Sequence, residues 1–147
     1  MGGSGRAGPA LLIVAHGARR SSANRQVLEL ARRIRKLRPK WLVRAAFLQF
    51  VGPTIAEVFA ILARLGATRV MVHPLFLFAG RHAARDLPAQ LAAAAELHPQ
   101  LRWRLTPSLG QHPRLARMVL ECARPKRTFG RRARGSASAR SRARRSS

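Results

Sequence analysis

Short apolar runs alternate with longer amphipathic stretches along the chain, and this alternation predicts four strands and four helices. The first and third runs, at 10–15 and 70–78, are almost entirely apolar, which is typical of strands buried on both faces of a parallel sheet. The second run, at 41–50, also predicts a strand. The fourth, at 101–105, alternates Leu and Trp with Arg, the pattern of a half-buried edge strand.

The amphipathic stretches predict helices at 21–37, 54–65, 84–97 and 113–122. Ser21 or Ser22 is a suitable N-terminal cap for the first helix. Pro53 is expected in the first turn of the second helix, and Gly66 is expected to end it. Pro88 is tolerable only within the first turn of the third helix, because a proline in a helix interior removes a backbone hydrogen bond.

This order of elements predicts an α/β fold, with helices flanking a four-stranded parallel sheet of order 2-1-3-4. The two apolar strands should be central. His16 directly follows the first strand and His82 follows the third. Because open parallel sheets bind ligands where the strand order reverses, at the carboxyl ends of the strands, these histidines should face each other there. His112 should lie on the same rim, whereas His73, inside the third strand, is interpreted as a hydrogen-bonded core residue.

The two rim histidines have two interpretations. Imidazole is a common ligand of divalent transition metals and titrates near neutral pH, so His16 and His82 form a candidate metal site. A single histidine at the end of a strand is more often a capping or hydrogen-bonding residue. Two histidines without a fixed short spacing do not by themselves decide between these interpretations.

Three segments resemble the small sirohydrochlorin chelatases of the CbiX type: LLIVAHGARR, PLFLFAGRHAARDLP and PSLGQHPRLA, in this order and at this spacing. The resemblance covers about 11–120. It implies a single chelatase-like half-domain that inserts cobalt, nickel or iron into sirohydrochlorin, for siroheme, cobalamin or related tetrapyrrole synthesis. It also implies that His16 and His82 bind this metal, which is a substrate, and it implies no nucleotide cofactor.

Metal insertion requires a site that holds a partly dehydrated divalent ion and removes two pyrrole protons. Neutral imidazoles suit the first task, and either histidine can accept a proton. Gly17 and Gly80 would let the backbone approach a flat ligand closely. Because sirohydrochlorin, the family's substrate, carries many carboxylates, the arginines near the rim are candidates to bind them through paired hydrogen bonds: Arg19, Arg20, Arg81 and Arg85.

Two positions depart from the pattern that is usual in this family. Ala18 stands where the family has a serine, and Gln49 stands where it has a glutamate. A carboxylate at the second position could accept a pyrrole proton, whereas an amide is a far poorer base. We therefore expect proton removal to be slow. Asp86, the only acid in the central motif, is a candidate either to orient His82 or to cap the third helix.

The charge of the chain is strongly basic. It has 29 Lys and Arg against 5 Asp and Glu, a formal net charge of +24, which attracts polyanions. This supports a competing interpretation, a catalytically impaired protein that binds nucleic acid or another polyanion through its Arg-rich first helix and C-terminal tail. For the tail itself, a solubilising segment or an interrupted second half-domain is the preferred interpretation. The tail, 123–147, and the Gly-rich leader, 1–9, are predicted to be disordered on either side of a domain at 10–122.

Compartment and assembly can also be predicted. A single cysteine, Cys122, excludes an intramolecular disulfide and suits a reducing compartment. No stretch approaches the roughly 20 apolar residues that span a bilayer, and no signal peptide is recognisable, so we expect a cytoplasmic protein with no membrane partner. We also expect a homodimer, because one four-stranded unit offers only one wall to a macrocycle.

Overall fold

The computed structural model describes residues 8–78 and 80–124. Most of the predicted leader and tail lies outside these residues. The strands β1 to β4 are Ala10–Ala15, Leu42–Phe47, Arg69–Pro74 and Arg102–Leu105. The helices α1 to α4 are Ser21–Leu37, Ile55–Arg64, Arg81–Glu96 and Leu115–Cys122. A short 3-10 helix, Leu109–Gln111, lies between β4 and α4.

The strands form one parallel sheet of order β2-β1-β3-β4, which confirms the predicted fold class and strand order. Ala10 of β1 pairs with Leu42 of β2 on one side and with Val70 of β3 on the other. Every apolar residue of β1 except Leu11 is buried. In β3, buried residues alternate with more exposed ones, so β3 is covered less completely than β1.

Two strands are shorter than their apolar runs. β2 ends at Phe47, whose N–H donates to the carbonyl of Pro53, 2.9 Å away, although the Leu48 N–H still donates to the Ala15 carbonyl at 3.0 Å. β3 ends at Pro74, whose ring cannot donate a hydrogen bond to a neighbouring strand. The apolar residues that follow Pro74 serve other purposes, since Phe76 is buried in the core whereas Phe78 is 74% exposed.

Two helix starts differ from prediction. Neither Ser21 nor Ser22 caps α1, because the helix begins at Ser21 and Arg20 is the N-cap residue. Pro53 precedes α2 rather than lying in its first turn. Thr54 caps that helix, since its hydroxyl accepts from the Glu57 N–H at 3.3 Å and the Glu57 carboxylate accepts from the Thr54 N–H at 2.6 Å.

The predicted end of α2 at Gly66 is confirmed, whereas the predicted start of α3 is wrong. Gly66 follows α2 with φ +77, the left-handed conformation expected of a C-terminal glycine. α3 begins at Arg81, earlier than predicted, so Pro88 lies beyond its first turn. Burial of four α3 residues offsets the hydrogen bond that the proline removes: Ala83, Leu87, Leu91 and Ala94.

The core has two layers of different size. On one face of the sheet, α2 and α3 cover a large cluster that includes Leu12, Val14 and Phe59. On the other face, α1 covers a smaller cluster around Ile13 and Val43. These layers fix the ends of β1 and β3, the two strands after which the candidate site residues follow.

Residues 116–124 belong to a second unit of the described chain, which contains most of α4. Met118, Val119 and Leu120 of this helix are exposed. Among the described residues, no helix combines the length and apolar character that crossing a bilayer requires. The predicted domain limit at 122 stays a prediction.

Candidate metal site

The two candidate metal ligands follow the two central strands of the sheet. His16 comes directly after β1, and His82 is the second residue of α3, which the chain enters from β3. β1 and β3 are parallel neighbours, so both histidines are at the carboxyl end of the sheet. Both are exposed, and their rings are therefore accessible to a ligand from solvent.

The ring of His16 is held by an aromatic contact. It stacks on Phe76 with a centroid distance of 4.4 Å and an interplanar angle of 30°. Phe76 is only 5% exposed and belongs to the core cluster under α2 and α3. One face of the imidazole is therefore fixed by the fold, while the side chain stays accessible elsewhere.

Gly17 is required by the backbone around it. Its φ is +86, and a Cβ at this position would lie 2.1 Å from the Gln49 carbonyl oxygen. The Gln49 N–H also donates to the His16 carbonyl at 3.1 Å. The close approach that Gly17 permits is therefore to the segment after β2, and its approach to a ligand stays a prediction.

Asn24 closes the loop between β1 and α1, a role that the sequence analysis missed. Its Oδ1 accepts from the Ala18 N–H at 2.9 Å, and its Nδ2 donates to the Ala18 carbonyl at 2.7 Å. The side chain is buried, at 8% exposure. The available signal was its spacing, because Asn24 extends the apolar stripe of Val27, Leu28 and Ala31 by one helical turn.

The hydrogen bonds of Asn24 show what the loop loses by having alanine at position 18, where the family pattern has serine. Both use the backbone N–H and C=O of Ala18 rather than its side chain. Any residue at this position offers the same two groups. The fixed loop beside His16 therefore does not depend on the hydroxyl that serine would supply.

The segment before α3 has more space around it. Gly80 is the N-cap residue, with φ −69, and a Cβ there would meet no atom within 4 Å. The prediction that Asp86 caps this helix is wrong, since Asp86 is inside it. Within the described chain, no hydrogen bond joins Asp86 to His82, and both side chains are exposed.

The four candidate carboxylate-binding arginines flank the two histidines. Arg19 and Arg20 lie between β1 and α1, and Arg81 and Arg85 lie in the first two turns of α3. All four are exposed. Among the described residues, none of them forms a salt bridge with a carboxylate, so their guanidinium groups are available to an anionic ligand.

Gln49 and Phe50 border the site from the side of β2. The side chain of Gln49 is exposed, and its backbone bond to His16 keeps it beside the first histidine. Phe50 has a positive φ of 69 and is 56% exposed. The guanidinium carbon of Arg19 lies 4.8 Å from the centroid of its ring.

His73 is the second-last residue of β3, and His112 directly follows the 3-10 helix after β4. His73 Nδ1 is 2.7 Å from the Thr106 hydroxyl, which confirms the interpretation of His73 as a hydrogen-bonded residue. Burial lowers the pKa of His73, and the charge of His112 lowers it further. His112 Nδ1 accepts from the Arg114 N–H at 3.2 Å.

The side chains at the rim do not form a closed metal centre. Among the described residues, no three His, Cys, Asp or Glu side chains come together in an arrangement that could hold a metal ion. A metal at His16 and His82 would therefore have two protein ligands. Its other coordination positions would be open to water or to a second ligand.

Comparison with known families and proteins identifies clear relatives. The CbiX family model matches residues 10–125. The sirohydrochlorin ferrochelatase of Arabidopsis thaliana chloroplasts is 33% identical over 109 residues, which cover 74% of this chain and 48% of the relative. The sirohydrochlorin cobaltochelatase of Methanococcoides burtonii is 29% identical over 121 residues, which cover 77% of this chain and 92% of the relative.

The relatives differ in length. The chain spans about half the length of the Arabidopsis protein and 42% of the sirohydrochlorin ferrochelatase of Priestia megaterium, to which it is 29% identical over 76% of its own length. All three relatives are named as chelatases. Nothing in these comparisons supports the nucleic-acid alternative.

Solved structures agree with the fold. A cobalamin biosynthesis CbiX protein from Marinobacter aquaeolei superposes with a TM-score of 0.70 at 23% identity. The match covers 78% of this chain and 93% of the Marinobacter chain. At this identity the likeness is one of fold alone. The sirohydrochlorin chelatase SirB from Bacillus subtilis subspecies spizizenii was solved in complex with cobalt. It superposes with a TM-score of 0.65 at 28% identity, and the match covers 78% of this chain and 49% of the SirB chain.

Proposed function

The chain belongs to the CbiX family, and we propose that it inserts a divalent metal into sirohydrochlorin. Its relatives are named as sirohydrochlorin ferrochelatases and cobaltochelatases, which makes iron and cobalt the first metals to test. The observation that carries the proposal is the position of His16 and His82, both exposed after the parallel neighbours β1 and β3.

The metal is a substrate, so the site must release it as well as bind it. Two imidazoles, from His16 and His82, hold an ion less tightly than the four ligands of a closed structural site. The open coordination positions can accept water first and the pyrrole nitrogens of the macrocycle afterwards. The small number of protein ligands therefore suits a transfer reaction.

The tetrapyrrole would be bound through its carboxylates and its flat ring. Arg19, Arg20, Arg81 and Arg85 are exposed and free of salt bridges within the described chain, and a guanidinium can bind a carboxylate through two parallel hydrogen bonds. The open space in front of Gly80 admits a flat ligand. Together these groups would orient the ring over the histidines.

The removal of two pyrrole protons needs an acceptor. His16 and His82 can act as bases once the metal has moved to the macrocycle. Gln49 lies beside His16 but carries an amide, which cannot accept the proton effectively. We therefore assign proton removal to the histidines or to water, and expect insertion to be slow.

An absorbance titration tests the proposal. Co(II) is added to sirohydrochlorin with and without the protein, and the initial rate of the spectral change is measured. The wild type and His98→Ala, which alters a histidine at the opposite end of α3, should both accelerate insertion. The double variant His16→Ala/His82→Ala should fall to the rate without protein. A wild-type rate equal to that background would contradict the proposal.

We also propose that the chain acts as a homodimer. The rim residues face solvent on one side, and a macrocycle has two faces that must be shielded from water. The proposal is supported by relatives of about twice the length, which have room for a second such unit. Light scattering should give twice the 16.2 kDa of one chain. An active preparation that remains monomeric would contradict it.

We place the protein in the cytoplasm as a further proposal. Its thiol, Cys122, is free and exposed, a state that a reducing compartment maintains. Cell fractionation followed by immunodetection should recover the protein with cytoplasmic markers. Recovery with membranes or with secreted proteins would overturn this assignment.

A further inference from the structure

Phe50 has a backbone conformation that its side chain does not favour. Its φ is 69, and no other non-glycine residue of the described chain has a positive φ. For a bulky residue this left-handed conformation is a true outlier, because the Cβ crowds the following carbonyl. Such strain persists only where the surroundings impose it, and it is concentrated at functional sites.

The fold gains little from having phenylalanine at this position. The ring is 56% exposed, so burial does not explain the choice of residue. The Arg19 guanidinium lies over the ring at 4.8 Å, but a cation–π contact at an exposed site is weak. Glycine or asparagine would adopt the same backbone with less strain.

The position of Phe50 suggests a role for its ring. Gln49, the residue before it, donates its N–H to the His16 carbonyl, so the backbone of Phe50 is tied to the segment that carries the first histidine. The exposed ring adds an apolar surface beside the metal site, and Arg19 adds a cation next to that surface. An apolar surface with an adjoining guanidinium is chemically complementary to a flat macrocycle that carries peripheral carboxylates.

We propose that Phe50 contacts the macrocycle directly, with its ring against the tetrapyrrole and with Arg19 placed to bind one of the peripheral carboxylates. This inference rests on the proposed function and names a substrate-binding residue of the same site. It also explains why the strained backbone is retained, since the ring is needed for the substrate and not for the fold.

The test uses variants that separate binding from stability. Phe50→Gly removes the ring and relieves the backbone, and Phe50→Asn does the same while keeping a side chain. Metal-free sirohydrochlorin is titrated with each full-length variant and followed by absorbance. Affinity should fall about tenfold, the loss expected for one buried aromatic contact. The Tm should not fall, and Co(II) affinity by calorimetry should be unchanged.

Two further variants control for side-chain identity and for exposed apolar surface in general. Phe50→Trp should retain the affinity for sirohydrochlorin, because it keeps an aromatic ring at this position. Leu97→Ala removes another exposed side chain, 73% exposed at the end of α3 away from the rim. Its affinity should equal that of the wild type.

The outcomes distinguish this inference from the proposed function. If the wild type does not bind sirohydrochlorin, the proposed function fails. If the wild type binds and both Phe50→Gly and Phe50→Asn bind equally well, the inference alone is overturned. It is also overturned if both variants lose thermal stability, or if light scattering shows that they change the oligomeric state, because the ring would then serve the fold or an interface between copies.

Discussion

The chain segments that follow β1 and β3, where the two candidate ligands lie, are held in different ways. After β1, His16 stacks on the buried Phe76, and Asn24 fixes the backbone of Ala18 through two hydrogen bonds. After β3, Phe78 is 74% exposed and Gly80 has open space in front of it. The His16 side of the site is therefore held by a ring contact and by a buried side chain. The loop after β3 is held through its backbone, since the Leu109 N–H donates to the Phe76 carbonyl at 3.1 Å, and it leaves the side of Gly80 open.

This difference would suit the proposed function, in which the site receives a metal and passes it on. As a proposed ligand with a fixed position, His16 would lower the cost of organising the site when the metal binds. The side chain of His82 is exposed, and in the proposed reaction it would follow the metal as the macrocycle takes it.

The largest expected effect is kinetic and concerns Gln49, which is bonded to the fixed loop. Gln49→Glu would introduce a carboxylate beside His16 that can accept a pyrrole proton. General base assistance is typically worth about 10²- to 10⁴-fold in rate, so the initial rate of Co(II) insertion should rise far more than Co(II) affinity. An unchanged rate, or a gain fully matched by tighter metal binding, would show that Gln49 does not occupy the position of a base.

The next largest effect is on the stability of the fold and should differ between Gly17 and Gly80. Gly17→Ala should destabilise the fold by about 3 kcal/mol, because φ is +86 and the new Cβ would clash with the Gln49 carbonyl. Gly80→Ala should cost at most about 1 kcal/mol, the difference between glycine and alanine at an N-cap, since its Cβ enters open space. Urea denaturation measures both. Equal losses would mean that the two loops are equally constrained.

The Gly80→Ala variant also tests ligand binding separately from the stability of the fold. Gly80→Ala places a methyl group where the macrocycle is proposed to approach, so it should weaken sirohydrochlorin binding while the fold is retained. The measurement is an absorbance titration with metal-free sirohydrochlorin. Full affinity in Gly80→Ala would indicate that the ligand does not pass over this residue.

A somewhat smaller loss is expected at Asn24. Asn24→Ala should cost about 2 kcal/mol, because it leaves the partly buried N–H and C=O of Ala18 without their partner. Asn24→Asp keeps an acceptor for the N–H but cannot donate to the carbonyl, so its loss should be comparable or larger. Urea denaturation measures each, and a loss below the error of the measurement in Asn24→Ala would contradict a fixed loop.

The smallest effect is a pH dependence at His73, where β3 is still anchored through Thr106. Burial and then the charge of His112 lower the pKa of His73 below its ordinary value of 6.5. The unfolded chain therefore binds this proton more readily than the folded one, and stability present above about pH 6.5 is lost as the pH falls below it. His73→Gln should reduce the decrease in Tm between about pH 7.5 and about pH 5.5. Identical slopes would rule out this contribution.

The sequence alone could predict the sheet order and the rim, but not the two loops. Apolar runs identify β1 and β3 because strands in the interior of a sheet consist mainly of apolar residues. The run at 75–78 was wrongly assigned to a strand, because an apolar residue such as Phe78 can also be exposed in a loop. Phe50 gave no sign of its left-handed backbone, which is normally the conformation of glycine or asparagine.

Binding of Co(II) to the two histidines tests the central claim most directly. Isothermal calorimetry on the full-length wild type, His16→Ala, His82→Ala and the control His98→Ala measures the affinity of each. We expect wild-type affinity in His98→Ala and at least about a hundredfold loss in both rim variants, since each leaves a single imidazole for the metal. Unchanged affinity in both His16→Ala and His82→Ala would show that the metal does not bind at this rim.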